Sequence, residues 1–138
     1  MHVICVSDAS FGKDVHPFVG GFLEWRHGPV GWHARKVKNF TPQSSCEIET
    51  AGVVLTVKEG LFVKDNLEFL GVEMDGPMAG ITDNKAAKDV IHNPGATKRT
   101  THFARWLHFA RELCLLNALK MYLVTRLPIA SMWIFQKG

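Results

Sequence analysis

Residues 44–70 read SSCEIETAGVVLTVKEGLFVKDNLEFL, and whether they form strand or helix decides the fold class. Val53-Val54-Leu55-Thr56-Val57 is a run of strand formers, and Gly52 and Gly60 weaken a helix. Against that, Ile48, Ala51, Leu55, Phe62 and Leu70 can share one helical face, with acids and lysines interrupting at roughly helical intervals. Ser44 or Ser45 supplies a hydroxyl cap. Glu47 and Glu49 put negative charge in the first turn, where the helix dipole favours it. The pattern predicts one long helix over 44–70.

Upstream, three stretches read as strands. The first, His2 to Ser7, is short, apolar and β-branched and stops at Asp8. The second, Phe18 to Trp25, carries a Gly20-Gly21 pair that marks a bulge or a close backbone approach. The third, Val30 to Val37, follows the turn signal Arg26-His27-Gly28-Pro29. Their short connections predict an antiparallel meander. Downstream, Met78 to Thr82 is a short buried strand ending at Asp83, and Asp83-Asn84 caps a helix over Lys85 to His92. From Thr100 or Thr101 on, Phe103, Trp106, Leu107, Ala110, Leu113, Cys114 and Asn117 recur at three- and four-residue steps, a helix whose apolar stripe is core. Lys120 to Val124 is a fifth strand. The order β-β-β-α-β-α-α-β, without repeat or linker, predicts a single α/β domain over 1–138 with a five-stranded mixed sheet.

The 138 residues suffice for one domain with a sizeable core, and 46% hydrophobic against 21% charged residues excludes wholesale disorder. No apolar run approaches the roughly 18 residues of a membrane span. Met1 leads into Val3-Ile4-Cys5-Val6 with no basic, cleavable leader. The chain is therefore expected to be intracellular, in the cytoplasm, the nucleus or an organelle after presequence removal. Cys5, Cys46 and Cys114 are odd in number, widely spaced and in apolar contexts, and read as reduced core thiols. The net charge of +3 conceals an asymmetry: residues 1–83 hold seven Lys/Arg against eleven Asp/Glu, and residues 84–138 hold nine against two, Asp89 and Glu112. An acidic part joined to a basic part suits a cation site beside a surface that holds phosphates.

Two aspartates stand at matching places, each just after a short apolar strand: Val6-Ser7-Asp8 and Ile81-Thr82-Asp83. If those strands are neighbours, both carboxylates emerge at one sheet edge, where a divalent cation is the usual relief of their repulsion. Glu47 or Glu49, from the first turn of the long helix, can supply a third. Three hard oxygen donors with no nearby Cys or paired His favour Mg²⁺ or Mn²⁺ over zinc. The ordinary alternative makes Asp8 a turn residue and Asp83 a helix N-cap.

The ordered motifs resemble the ribonuclease H domain at the C-terminal end of copia-type retrotransposon polyproteins. Val6-Ser7-Asp8-Ala9-Ser10 is similar to the family's first-strand Asp motif, and Pro29-Val30-Gly31-Trp32 with Arg35-Lys36 to its third strand. Ser44-Ser45-Cys46-Glu47-Ile48-Glu49-Thr50-Ala51 resembles the start of its first helix, and Ile81-Thr82-Asp83-Asn84-Lys85-Ala86-Ala87 its Asp-Asn motif. Asn93-Pro94, Lys98-Arg99-Thr100-Thr101-His102 and His108-Phe109-Ala110-Arg111-Glu112 follow in the family's order. The resemblance implies a ribonuclease H-like fold, with three antiparallel strands followed by parallel ones. It also implies cleavage of the RNA strand of RNA–DNA hybrids by two Mg²⁺ ions (or Mn²⁺) about 4 Å apart, held by Asp8, Glu49 and Asp83. Glu49 matches the second Glu of the helix motif, leaving Glu47 as a helix-start charge. Lys85, Lys88, Lys98, Arg99 and Arg105 are the expected phosphate contacts, with Arg35, Lys36 and Lys38 as a second group. His102 is a candidate for proton transfer or product release, with a capping or buried role as the alternative.

The sequence also departs from the family. The pattern places a fourth carboxylate in an Ala-Asp motif near the end, and Ile129 to Lys137 contains no acid. Ala104 stands where the family commonly has Asp after the motif histidine. Two functions follow: a hybrid-cleaving nuclease, weakened by the lost ligand, or a catalytically inactive, co-opted subunit of a larger assembly. The second would bind nucleic acid, RNA–DNA hybrid or structured RNA, or offer a protein partner the apolar tail Leu127 to Phe135.

Overall fold

The structure, a computed structural model, describes residues 2–10, 16–38, 44–92 and 104–125. The ambiguous stretch is helical: α1 runs from Ser45 to Phe69. Ser44 caps it, its hydroxyl oxygen accepting from the Glu47 amide at 3.3 Å. At the other end the amides of Gly71 and Val72 donate back to the carbonyls of Glu68 and Leu67, with Gly71 at φ 86°. Val53, Val54 and Val57 are at most 1% exposed. Each loses a few tenths of a kcal/mol in helix propensity. Burying each contributes about 1.5–3 kcal/mol, so packing overrides the local preference. Thr50 and Thr56 avoid stranded hydroxyls by donating to the carbonyls four residues back, both at 2.8 Å.

The strands are β1 (Ile4–Ser10), β2 (Phe18–Trp25), β3 (Gly28–Lys36), β4 (Met78–Thr82) and β5 (Leu119–Leu123). They form one sheet in the order β3-β2-β1-β4-β5. β1, β2 and β3 pair antiparallel, while β4 joins β1 and β5 joins β4 in parallel, the mixed sheet expected. β2 and β3 are linked by the two-residue turn Arg26-His27, both at positive φ, the hand that matches strand twist. Two shorter helices, α2 (Lys85–His92) and α3 (Ala104–Leu115), complete the described chain. α1 packs on β1 and β2 and also meets α2 and α3. The main core lies between these layers, built on Leu23, Val54, Val57, Met78, Ile91 and Leu107. Arg111 fastens α3 to α2 by donating from Nε and Nη2 to the Val90 carbonyl, at 3.0 and 2.8 Å.

Two readings of the sequence need correction. β1 continues through Asp8 to Ser10 instead of stopping before it, because Asp8, Ala9 and Ser10 pair with Gly20, Val19 and Phe18. All three thiols are free, as expected, but only Cys5 is fully buried, where burial and the nearby Glu59 push its pKa up to about 12. Cys46 and Cys114 are half-buried, each near one end of a helix.

Gly21 answers the question raised by the Gly20-Gly21 pair, since the sheet's irregularity falls between Leu23 and Glu24 instead. A Cβ on Gly21 would lie 2.3 Å from both His33 Nε2 and Thr56 Oγ1. Those atoms sit 3.2 Å apart in a buried contact tying β3 to α1. Thr56 already donates to Gly52, so its oxygen accepts here and His33 carries its proton on Nε2. Burial keeps the His33 pKa below its usual value, with Glu59 opposing and Arg35 adding to that drop. Gly21→Ala should destabilise the fold by about 2 kcal/mol or more in urea unfolding. Adding His33→Ala should return part of that loss, because it vacates the space the new methyl needs.

Candidate metal centre

Strand register brings the two aspartates together. Val6 of β1 is opposite Ile81 of β4 in parallel, so Asp8 and Asp83, two residues further on each chain, reach the same end of the sheet. Asp83 is the first residue past β4. It is not the helix cap: Asn84 takes that role, its side-chain oxygen accepting from the Ala87 amide at 2.9 Å. The Asn84 amide in turn donates to the fully buried Thr82 hydroxyl at 3.2 Å. This turn holds the backbone on both sides of Asp83 and leaves its carboxylate outside the cap.

The first turns of α1 lie over the same end. A Cβ on Gly52 would be 3.6 Å from the Asp8 carbonyl oxygen, and Glu49 sits one turn closer to the helix start. Ligand oxygens of Asp8, Glu49 and Asp83 all lie within 4.8 Å of one another. Glu49 is 8% exposed, and its Oε2 accepts no hydrogen bond among the described residues. Burial, then the charges of Asp8 and Asp83, push the Glu49 pKa up to about 8. Asp8 is also raised, by burial and by Asp83. The Ala9 amide, which donates to Asp8 Oδ1 at 2.9 Å, offsets part of both rises. Three hard oxygens at this spacing, one buried without a donor, match the demands of a divalent cation.

The remaining candidates divide. Lys85 is exposed and Lys88 half-buried on α2, two and five residues beyond Asp83, and Arg105 is exposed at the start of α3. In the second group Arg35 is engaged, its guanidinium ion-paired with Glu59. Lys36 stacks over Phe18 at 5.4 Å, and Lys38 is exposed. Glu47 stands in the first turn of α1, as expected of a helix-start charge, and is buried at 4% exposure. Lys98, Arg99, His102 and the stretch 126–138 lie outside the described residues. Sequence reading missed the Ala9 amide and the Thr82–Asn84 turn. Ser and Thr before an Asx residue were the available signal for the turn, but Asp83 and Asn84 compete equally for the cap on paper.

No protein-family model matches the chain. It is 30% identical over 118 residues to the Retrovirus-related Pol polyprotein from transposon RE2 of Arabidopsis thaliana, a match over 83% of this chain. The chain spans 8% of that polyprotein's length. Its backbone is similar to that of LC11-RNase H1, isolated from compost by a metagenomic approach, with a TM-score of 0.70 over 98% of this chain and 91% of that one at 11% identity. The chain carries the ribonuclease H fold. A second structure of LC11-RNase H1, in complex with an RNA/DNA hybrid, matches this ribonuclease H-like chain with a TM-score of 0.62 over 90% of it and 86% of that chain, at 10% identity. Among the described residues no helix is long and apolar enough to cross a membrane.

The raised Glu49 pKa sets a pH dependence for the metal-free protein. The folded state holds the Glu49 proton up to about pH 8, whereas an unfolded Glu releases it near 4.5. Between those values the folded state binds more protons, so this contribution to stability is full below 4.5 and lost as pH rises through 8. His33, lowered from 6.5, acts in the opposite sense, losing stability as pH falls. The readout is therefore the difference between Glu49→Gln and wild type in chelator. The variant should gain relative stability steadily from pH 4.5 to 8, by about 1–3 kcal/mol in denaturant unfolding.

Proposed function

We propose that this chain is a ribonuclease H-type nuclease domain of retroelement origin, hydrolysing the RNA strand of RNA–DNA hybrids with Mg²⁺ or Mn²⁺. The observation that carries this reading is the convergence of Asp8, Glu49 and Asp83 at one end of a ribonuclease H-like sheet, with Glu49 Oε2 buried and lacking a donor. The similarity to a transposon Pol polyprotein supports the origin, and the hybrid bound to LC11-RNase H1 supports the substrate class.

Asp8, Glu49 and Asp83 would hold the cations. When bound, divalent ions supply Lewis-acid activation of water and stabilisation of the leaving oxygen. Asp8 lies on β1 and Asp83 one residue past the neighbouring parallel β4, so the sheet register brings both to one edge, two residues beyond the last β1–β4 pair. The Thr82–Asn84 turn fixes the backbone of Asp83, and the Ala9 amide orients Asp8. Glu49 closes the site from the helix side. Its buried carboxyl keeps a proton near neutral pH until a cation offsets the charges of Asp8 and Asp83. Lys85, Lys88 and Arg105 offer phosphate contacts on the neighbouring helices, where backbone-directed grip suits an enzyme indifferent to base sequence.

Two measurements test this. Mn²⁺ should raise the melting temperature of the wild type at pH 8, in proportion to the logarithm of its concentration, and leave Glu49→Gln unmoved. Cleavage of a labelled hybrid in Mn²⁺ should fall roughly two orders of magnitude or more in Asp83→Asn. The acid-free segment Ile129 to Lys137 favours the second reading, an inactive nucleic-acid-binding subunit. Metal-dependent stabilisation together with hybrid binding, but without Asp83-dependent cleavage at high protein concentration, would select it.

A further inference from the structure

β3 is an edge strand whose alternation divides its side chains between two faces. His33 and Arg35 turn toward α1, where they meet Thr56 and Glu59. Trp32, Ala34 and Lys36 therefore project from the opposite face of the sheet. Trp32 is 68% exposed, and Ala34 and Lys36 are exposed as well. β3 contains no acid, and Arg35, Lys36 and Lys38 follow Trp32 within six residues. Arg35 is committed to Glu59, so the available positive charge on this strip comes from the lysines. Lys36 Nζ lies 5.4 Å from the centre of the Phe18 ring, the residue paired with it on β2.

Register ties this strip to the acidic centre. Ala34 pairs with Gly20, and Gly20 pairs with Asp8. The smallest side chain of the strip thus lies two strand spacings, about 10 Å, from a proposed metal ligand. Trp32 and Lys36 flank that row, about 13 Å apart along the strand. An indole left in water contributes little to the core, yet its face remains open to a planar partner. Ammonium groups further along the same strip suit a ligand that is extended, planar in its units and polyanionic.

We propose that the Trp32–Lys36 face of β3 binds a strand of nucleic acid continuing from the acidic centre, with Trp32 stacked on a base and Lys36 against a phosphate. This rests on the nucleic-acid reading above and adds a surface that metal chemistry does not require. Fluorescence anisotropy of the full chain with a labelled RNA–DNA hybrid in EDTA reads binding without cleavage. Trp32→Ala should weaken binding at least about fivefold, and Trp32→Phe should restore most of it. Lys36→Ala should lower the slope of log K against log salt by about one. Equal affinity of wild type and Trp32→Ala overturns the β3 surface and leaves the nuclease reading in place, whereas no binding by the wild type overturns both. Wild type that elutes as a dimer, with Trp32→Ala monomeric and undiminished in binding, assigns the strip to a second copy and overturns the proposal.

Discussion

The burial of α1 on more than one side is the constraint on which the rest of the molecule depends. From Glu47 to Val57 nearly every residue is buried, because the helix packs on β1 and β2 and also meets α2 and α3. Such a helix cannot be amphipathic in the ordinary sense, so apolar residues occupy several of its faces. Close approach to the sheet is possible because Gly21 leaves room for the His33–Thr56 contact. The same packing delivers the first turns of α1, and Glu49 with them, to the end of the sheet where Asp8 and Asp83 emerge.

That delivery has an electrostatic consequence. Three carboxylates brought within 4.8 Å, one of them buried, oppose folding in the absence of a counter-charge. Rigid scaffolding sustains the arrangement: Asp8 comes from β1, Asp83 from the turn just past the parallel strand β4, and Glu49 from a helix anchored by its valines. Side chains held in place by regular elements in this way would need little rearrangement to take up the proposed cation. The strain falls on protonation, since Glu49 holds a proton well above the usual carboxylate range.

Much of this was legible in the sequence. The bounds of β2, β4 and α2 follow from apolar runs ended by turn or capping residues, signals that act locally. The strand-Asp pattern at Val6–Asp8 and Ile81–Asp83 marked two of the three converging acids, and the motif resemblance chose Glu49 over Glu47. Other features were illegible for identifiable reasons. The five residues Val53 to Val57 favour strand locally and become helical only because they are buried on several sides. The extension of β1 through Asp8 depends on partners eight to twelve residues away on β2. The choice between Asp83 and Asn84 as cap is settled by the Thr82 hydroxyl, whose hydrogen bond to the Asn84 amide shapes the turn.

The sequence by itself determined the order of elements, the division of charge about Asp83 and the two strand-end aspartates, because these rest on periodicity, turn chemistry and composition within short windows. Glu49 came only from the motif resemblance. Only the tertiary structure decided that the three carboxylates meet, that Arg35 is spent on Glu59 while Trp32 stays in water, and that Glu47 is buried. Each of those outcomes depends on which strands are neighbours and which face of a strand or helix meets another element. Residues far apart along the chain set that geometry jointly, so no single stretch of sequence encodes it.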